Sequence, residues 1–166
     1  MSYKDFITEV PHFPSVGVNF KDISPLLADQ ETFRSALVDM GGYFDDNLPD
    51  YWVGVDSRGF LFAGGLASYF GGGVVMCRKK GKLPPPTLTK EYELEYRNST
   101  LEMQYGNGKV VIVDDVLATG GTLNATNELA TSAGYEVVGN LVLVDLKYVP
   151  RVEDFNLNVR SIVQYS

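Results

Sequence analysis

A short apolar run that ends in two acidic residues constrains the fold of this chain more than any other feature. Residues 110–113 read Val-Val-Ile-Val, and Asp114 and Asp115 follow directly. β-Branched residues in a run too short for a helix are typical of a strand buried in a parallel sheet. The next segment, Ala-Thr-Gly-Gly-Thr at 118–122, precedes a helix-like stretch. The pattern therefore predicts a strand–turn–helix unit in an α/β fold.

The turn at residues 118–122 has the properties of a phosphate site. Its glycines let the backbone approach a ligand closely, and its N–H groups lie at the start of a helix, where anions bind. Asp114 and Asp115 lie at the carboxyl end of the strand, where open α/β sheets bind ligands. Acids beside a phosphate suit sugar hydroxyls or hydrated Mg²⁺, since both favour hard oxygen acceptors. The segment therefore predicts a site for a phosphorylated sugar.

Competing nucleotide motifs are absent from the sequence. An apolar strand ending in acids also occurs in ATPases, but these need a G-x-x-x-x-G-K-[ST] loop, and a dinucleotide site needs G-x-G-x-x-G. Neither pattern occurs here. The remaining alternative is a buried strand with an ordinary glycine turn, and the coincidence of the double acid with the 118–122 turn argues against it.

Length and charge restrict the classes of function. The 166 residues, 45% of them hydrophobic, predict one globular domain over 1–166. The net charge is −7, and no basic run is long enough to follow a nucleic-acid backbone. The densest basic cluster, Arg78 to Lys82, suits a small polyanion such as pyrophosphate, with a solvated loop as the alternative.

Cysteine, histidine and targeting patterns add little chemistry. Cys77 closes an apolar run and is predicted to be a buried core thiol, and His12 lies in a proline-bounded segment unsuited to pairing with it. No signal peptide, transit peptide or membrane-length apolar run is visible, so we expect a cytoplasmic location without membrane contact.

Strand and helix patterns alternate along the chain, which predicts a mostly parallel central sheet flanked by helices. Residues 1 to about 28 are proline-rich and predict an irregular hood with a short helical start. Residues 81 to about 105 predict a two-stranded β lid loop. The predicted strands are 51–55, 74–77, 110–113, 136–145 and 159–163, and the predicted helices are 29–44, 60–69 and 124–133.

Several stretches resemble a known family. Residues 110–122 resemble the signature for phosphoribosyl diphosphate (PRPP) in type I phosphoribosyltransferases. Residues 17–27, 53–60, 78–84 and 92–96 narrow the resemblance to the adenine phosphoribosyltransferases, in order and spacing along nearly the whole chain. The resemblance implies the type I phosphoribosyltransferase fold, with Mg²⁺ as cofactor and a homodimer as the assembly. It implies conversion of adenine and PRPP to AMP and pyrophosphate.

The reaction needs groups for each part of PRPP. Backbone N–H groups of Ala118, Thr119, Gly120, Gly121 and Thr122, with the two threonine hydroxyls, are predicted to bind the 5′-phosphate. Asp114 and Asp115 are predicted to accept hydrogen bonds from the ribose hydroxyls. Mg²⁺ is expected to bind mainly through PRPP and water.

Pyrophosphate is expected to bind basic and hydroxyl groups. Arg58 follows a strand end and offers a guanidinium fork, and the alternative for it is an ion pair with Asp56. One basic residue is implied to act across a dimer interface. The full predicted set is Ser57, Arg58, Arg78, Lys79, Lys82 and Tyr96.

The base pocket is predicted around Phe20, because a purine stacks on an aromatic face. The alternative is a hood residue packed on the core. By resemblance, backbone groups of Asn19 and Lys21 contact the adenine edge, and Val116 or Leu117 covers the opposite face.

Glu95 resembles the acid/base carboxylate near adenine N7, and Tyr96 is predicted to close the site. The alternative for Glu95 is a solvated carboxylate in a charged loop. Two other functions stay open: the same chemistry on hypoxanthine, guanine or xanthine, and a catalytically silent PRPP-binding regulator.

Overall fold

The N-terminal hood is a small layer of its own in the computed structural model, which describes residues 2–94 and 97–166. It contains a 3-10 helix and an antiparallel strand pair, where the sequence predicts irregular chain with a short helical start. A short helix connects the hood to the main body. The bounds are Tyr3–Phe6 for the 3-10 helix, Thr8–Pro11 for β1, Asn19–Asp22 for β2 and Ser24–Ala28 for α1.

The main sheet has seven strands within the described residues. They are β3 (Tyr51–Val55), β4 (Gly73–Lys79), β5 (Thr87–Leu94), β6 (Arg97–Gln104), β7 (Gly108–Leu117), β8 (Tyr135–Leu146) and β9 (Val159–Tyr165). Their spatial order is β5-β6-β4-β3-β7-β8-β9. Neighbours from β4 to β9 run parallel, and β5 and β6 form an antiparallel hairpin at one edge. The predicted mostly parallel sheet with a β lid is confirmed.

Three longer helices cover the sheet: α2 (Gln30–Gly42), α3 (Arg58–Phe70) and α4 (Gly121–Ala133). Asp29 caps α2, since its side chain accepts a hydrogen bond from the Thr32 N–H. Gly134 ends α4 with a φ of 114°, a left-handed conformation that favours glycine. Helix α4 begins at Gly121, three residues earlier than the apolar pattern predicts, so the turn of 118–122 runs directly into its first residues.

The alternation of β7 divides the core between the two faces of the sheet. Val111 and Val113 pack in the cluster that includes Trp52 and Phe62, while Val110 and Ile112 pack with α4 on the other face. Cys77 is fully buried, as predicted, and burial raises the pKa of its thiol to about 12. No helix among the described residues combines the length and the apolar character needed to cross a bilayer.

Candidate active site

A cavity of about 400 Å³ opens at the carboxyl ends of β3, β4 and β7. This edge of a parallel sheet is where ligands bind in open α/β folds. The cavity brings together residues from four separate segments that the sequence singled out. Its lining residues are Asp56, Ser57, Arg58, Lys79, Tyr92, Leu101, Asp114, Asp115, Val116, Ala118 and Thr122.

Arg58 forms an ion pair with Asp115 across this cavity. Its Nε donates to a carboxylate oxygen of Asp115, whose side chain is only 6% exposed, while the Arg58 side chain is 52% exposed. The alternative partner considered from the sequence, Asp56, instead faces Arg78, with 3.6 Å between the Arg78 Nε and the carboxylate. Arg58 is therefore held at the site by one of the predicted ribose-binding acids, and about half of its side-chain surface remains exposed to solvent.

Asp114 lies directly beside this ion pair. Burial, followed by the negative charge of Asp115, raises the pKa of Asp114 well above its usual range. One Asp114 oxygen accepts a hydrogen bond of 2.9 Å from the Asp115 N–H, and this bond opposes the rise. Gly59 lies against the same acid, because a Cβ at Gly59 would lie 3.2 Å from an Asp114 carboxyl oxygen and 2.7 Å from the Val113 carbonyl oxygen. The start of α3 thus approaches β7 closely enough to bring Arg58 to the acids.

The raised pKa of Asp114 predicts a pH effect on stability. Above the ordinary aspartate pKa of ~3.9, the unfolded chain releases a proton that folded Asp114 retains, so stability falls as pH rises toward the raised pKa. Asp114→Asn removes this loss. We expect the melting temperature of the variant, relative to the parent protein, to rise as the pH is increased above the ordinary aspartate pKa of ~3.9. A difference that is constant across this range would contradict the coupling.

The turn of 118–122 forms one end of the cavity. Gly120 has a φ of +88°, and helix α4 begins at the next residue. The first N–H groups of a helix have no acceptor within the helix, so they are available to an anion. Ala118 and Thr122 line the cavity, whereas Thr119 is exposed and Gly120 is buried. The backbone geometry is that of a loop suited to a phosphate.

Tyr92 is a site residue to which the sequence analysis assigned no role. It lies on β5, lines the cavity, and its hydroxyl oxygen accepts a hydrogen bond of 3.3 Å from the Thr122 hydroxyl. Lys90 on the same strand pairs with Glu128 of α4 at 2.6 Å. The β5–β6 hairpin therefore packs against α4. Tyr92 lies within residues 92–96, one of the stretches that carry the family resemblance. This resemblance is the sequence signal that could have identified Tyr92 as a site residue.

Glu95 and Tyr96 lie outside the described residues. They directly follow Leu94 in the sequence. Their predicted roles in proton transfer and closure of the site remain predictions.

The predicted pyrophosphate residues divide into two groups. Ser57, Arg58 and Lys79 line the cavity. Arg78 pairs with Asp56. Lys82 lies exposed on a turn, and its backbone N–H donates to the Glu102 carboxylate at 2.9 Å. Neither of these two residues lines the cavity. Glu102 also accepts the Leu83 N–H at 2.6 Å, so it fixes the turn that carries Lys82.

The hood brings Phe20 to the edge of the site. The Arg58 guanidinium carbon lies 5.9 Å from the centroid of the Phe20 ring, and Phe13 packs edge-on against that ring at 5.2 Å. Asn19 is exposed. The Lys21 side chain is buried, pairs with Glu9 and lies over the ring of Tyr165, so only its backbone remains available for the predicted contact with adenine.

Val116 and Leu117 have different surroundings. Val116 lines the cavity, but Leu117 is 2% exposed and packs in the core on the α4 face. If the alternation of Val111 and Val113 continued along β7, the Leu117 side chain would lie on the Trp52 face of the sheet and the Val116 side chain on the α4 face. The structure has these two side chains on the opposite faces, so the alternation of β7 reverses past the two acids. Of the two residues predicted to cover the base, Val116 therefore lies at the cavity, while the Leu117 side chain fills the core; the contact with the base stays a prediction.

Comparison with known proteins agrees with this geometry. The family model "phosphoribosyl transferase domain" matches residues 36–159. The adenine phosphoribosyltransferase of Rhodospirillum rubrum is 46% identical over 99% of this chain and 99% of its own length. The crystal structure of the Thermoanaerobacter pseudethanolicus enzyme of the same name has a TM-score of 0.89, at 37% identity and 98% coverage of both chains.

A third relative carries a ligand. The adenine phosphoribosyltransferase of Giardia lamblia, solved in complex with 9-deazaadenine, has a TM-score of 0.90 at 30% identity, covering 100% of this chain and 99% of its own. The similarity therefore extends through the hood, the sheet and the hairpin alike. Together, the family model and these full-length relatives establish that the chain belongs to the adenine phosphoribosyltransferase family.

Proposed function

We propose that this protein transfers the 5-phosphoribosyl group of PRPP to adenine, producing AMP and pyrophosphate. One observation carries the proposal: a single cavity joins paired acids, an arginine and the start of α4. These are the groups that a phosphorylated ribose with a pyrophosphate leaving group requires. Relatives of the same length carry the name of this activity.

We assign the 5′-phosphate to the turn of 118–122 and the ribose hydroxyls to Asp114 and Asp115. Backbone N–H groups and the Thr122 hydroxyl bind the phosphate, and the carboxylates accept from the 2′- and 3′-hydroxyls. A guanidinium binds phosphate oxygens in a planar fork, so Arg58 turns from Asp115 to the leaving pyrophosphate. Ser57 and Lys79 assist it from the same cavity.

The transferred ribosyl group becomes cationic as its bond to pyrophosphate breaks. Transition states of glycosyl transfer have this oxocarbenium character. Asp115 places negative charge beside the ring, Asp114 accepts hydrogen bonds from the ribose through its carboxyl oxygens, and the cavity orients the ribose. Adenine N9 then bonds to the anomeric carbon. The Glu95 carboxylate is proposed to accept the proton that adenine releases at N7 as N9 forms this bond, and Tyr96 to cover the reacting groups.

We propose Mg²⁺ as the cofactor. The carboxylates of Asp56, Asp114 and Asp115 at the cavity are hard oxygen donors that fit this cation, directly or through water. Mg²⁺ is usually bound through substrate phosphates and water, and it supplies charge neutralisation for the leaving pyrophosphate. These three carboxyl groups do not lie close enough together to hold a metal ion by themselves, and no other group of three or more Asp, Glu, His or Cys side chains does so among residues 2–94 and 97–166, so PRPP oxygens are the proposed main ligands.

The proposal includes the state of the whole protein. We propose one domain over 1–166, a cytoplasmic location and a homodimer. Val74 and Met76 on β4 are each 42% exposed, and such apolar side chains suit contact with a second copy. One basic residue among Arg78, Lys79 and Lys82 is proposed to reach the partner's site. Light scattering of the purified protein measures the assembly, and a monomer at every concentration would contradict the homodimer.

Phe20→Ala tests the base pocket. Stacking on an aromatic ring contributes ~1–3 kcal/mol per base, so we expect the KM for adenine to rise by about one order of magnitude. The KM for PRPP should change far less, because Phe20 approaches only one proposed PRPP group, the Arg58 guanidinium at 5.9 Å, and Arg58 keeps its ion pair with Asp115 in the variant. Steady-state kinetics with each substrate varied in turn measures this split.

A matched control for this variant is Tyr105→Ala, because Tyr105 is an aromatic residue 54% exposed beyond the end of β6. It should leave both KM values unchanged. Equal KM values for adenine in Phe20→Ala and the parent protein would remove Phe20 from the base pocket.

A competition among purines tests the assigned substrate. The protein is mixed with PRPP, Mg²⁺ and equal amounts of adenine, hypoxanthine, guanine and xanthine, and the mononucleotides are separated by chromatography. We expect AMP alone. A different mononucleotide would retain the PRPP site and overturn the base assignment. No product with retained PRPP binding would favour a silent regulator.

A further inference from the structure

The segment that follows β8 contacts the turn of 118–122, the phosphate loop. In the parallel pair of β7 and β8, Leu117 lies opposite Asp145. Both strands end there, so the chain after Asp145 runs beside the phosphate loop. This segment contains Arg151 and Phe155, and no sequence motif indicates a function for either residue.

Arg151 bonds directly to the phosphate loop. Its Nη1 donates to the Ala118 carbonyl at 2.6 Å and to the Leu146 carbonyl at 2.9 Å. Its Nη2 pairs with Asp145, whose side chain is 12% exposed. The guanidinium thus joins the first residue of the phosphate loop to the end of β8, and the buried carboxylate fixes its orientation.

The next two residues of the phosphate loop are held by the same segment. The Val152 N–H donates to the Thr119 carbonyl at 2.8 Å. Phe155 packs against Gly120, since a Cβ at that glycine would lie 2.4 Å from the Phe155 ring. The Arg151 guanidinium carbon lies 5.7 Å from the centroid of the same ring. Three consecutive residues of the phosphate loop are therefore fixed from one side.

These contacts set the direction of the N–H groups in the phosphate loop. In a trans peptide the carbonyl and the following N–H point in opposite directions. The Ala118 and Thr119 carbonyls are directed at Arg151 and Val152, so the N–H groups of Thr119 and Gly120 face away from that segment. Donors aimed in advance bind a phosphate without a cost for ordering the loop.

We propose that Arg151 and Phe155 are positioning residues that hold the phosphate loop in its phosphate-binding conformation. Neither lines the cavity, so they act on the ligand only through the loop. The inference rests on the proposed assignment of the 5′-phosphate to this loop. It extends that assignment to the side chains of Arg151 and Phe155, which lie in a different part of the sequence.

Arg151→Lys tests the inference with two ligands. Lysine keeps the positive charge beside Asp145 but loses the planar fork that joins Asp145 to the Ala118 carbonyl. We expect the Kd for ribose 5-phosphate, measured by calorimetry, to rise about tenfold, the factor for loss of one charge-assisted hydrogen bond. The Kd for magnesium pyrophosphate should stay within about twofold of that of the parent protein, since a general loss of structure would weaken both ligands.

Phe155→Leu provides a second variant, which leaves the charges intact and removes only the ring over Gly120. This variant should also raise the Kd for ribose 5-phosphate while leaving the Kd for magnesium pyrophosphate unchanged. Arg160→Lys is the matched control, because Arg160 also lies over an aromatic ring, that of Tyr43, at 5.4 Å, but contacts no part of the phosphate loop. It should change neither affinity.

Three results would overturn parts of this account in distinguishable ways. Unchanged ribose 5-phosphate affinity in both Arg151→Lys and Phe155→Leu would overturn the positioning role alone. A parallel loss of affinity for both ligands would show that the residues maintain the fold and do not position the loop. Failure of the parent protein to bind ribose 5-phosphate would remove the proposed phosphate site, and this inference with it.

Discussion

Asp115→Asn is expected to lower kcat/KM for AMP formation by about 100-fold while the fold persists, because a hydrogen bond to a charged group contributes ~1.5–3 kcal/mol and loss of the charge adds to it. The Asp115 carboxylate accepts from the ribose in the proposed site and places negative charge beside a cationic transition state. The amide keeps the shape but removes the charge.

The fold should survive Asp115→Asn because its partner can be solvated. The Arg58 side chain is 52% exposed, so loss of the ion pair leaves no buried cation without a partner. Arg58 can still donate to the amide oxygen. Circular dichroism and the melting temperature test this point alongside the kinetics.

Asp39→Asn is the matched control for Asp115→Asn. Asp39 lies on α2, accepts a hydrogen bond from the hydroxyl of Tyr3 in the 3-10 helix, and does not line the cavity. We expect kcat/KM to be unchanged in this variant. If Asp114→Asn and Asp115→Asn both retained the kcat/KM of the parent protein, the roles assigned to the two acids would be refuted.

Gly120→Ala is expected to lower the free energy of unfolding by about 2–4 kcal/mol and to weaken binding of ribose 5-phosphate. Two effects combine at this position. The φ of +88° is unfavourable for a residue with a side chain, and the added methyl group would lie 2.4 Å from the Phe155 ring. The ring would have to move away from Arg151, which holds the phosphate loop.

Gly17→Ala separates these two effects. Gly17 has nearly the same φ, +89°, but no heavy atom lies within 4 Å of an added Cβ. We therefore expect a loss of only ~1–2 kcal/mol, with binding of ribose 5-phosphate unchanged. Chemical denaturation of both variants measures the difference. Equal losses in the two variants would contradict the close packing of Phe155 on Gly120.

Local patterns predicted the centre of the fold. The strand at 51–55 has the predicted bounds, and Gly134 ends α4 in the predicted left-handed conformation. The lid loop was predicted as two strands and is an antiparallel hairpin. These features depend on neighbours along the chain, through β-branched composition, glycine conformation and alternation, so the sequence contains the information directly.

The hood shows where local patterns were insufficient. Its prolines predicted irregular chain, yet β1 and β2 pair in register from Thr8 opposite Asp22 to Pro11 opposite Asn19. Proline is tolerated there because it lies at the end of a short two-stranded sheet. Pairing between strands separated by a loop depends on their register, which composition does not fix.

Side-chain partners in the site were also beyond local patterns. Arg58 pairs with Asp115, 57 residues along the chain, and not with the neighbouring Asp56. Leu117 is buried because the alternation of β7 reverses past the acids. Arg151 carries no motif, and its importance appears only when β8 lies beside β7. Contacts of this kind depend on the assembled sheet.

The most direct test of the central claim is the stoichiometry of the reaction. Purified protein is incubated with adenine, PRPP and Mg²⁺, and AMP and pyrophosphate are both quantified over time. The account predicts that the two products appear in equal amounts, and that neither appears when adenine is omitted. Absence of AMP from protein that still binds ribose 5-phosphate would contradict the proposed function.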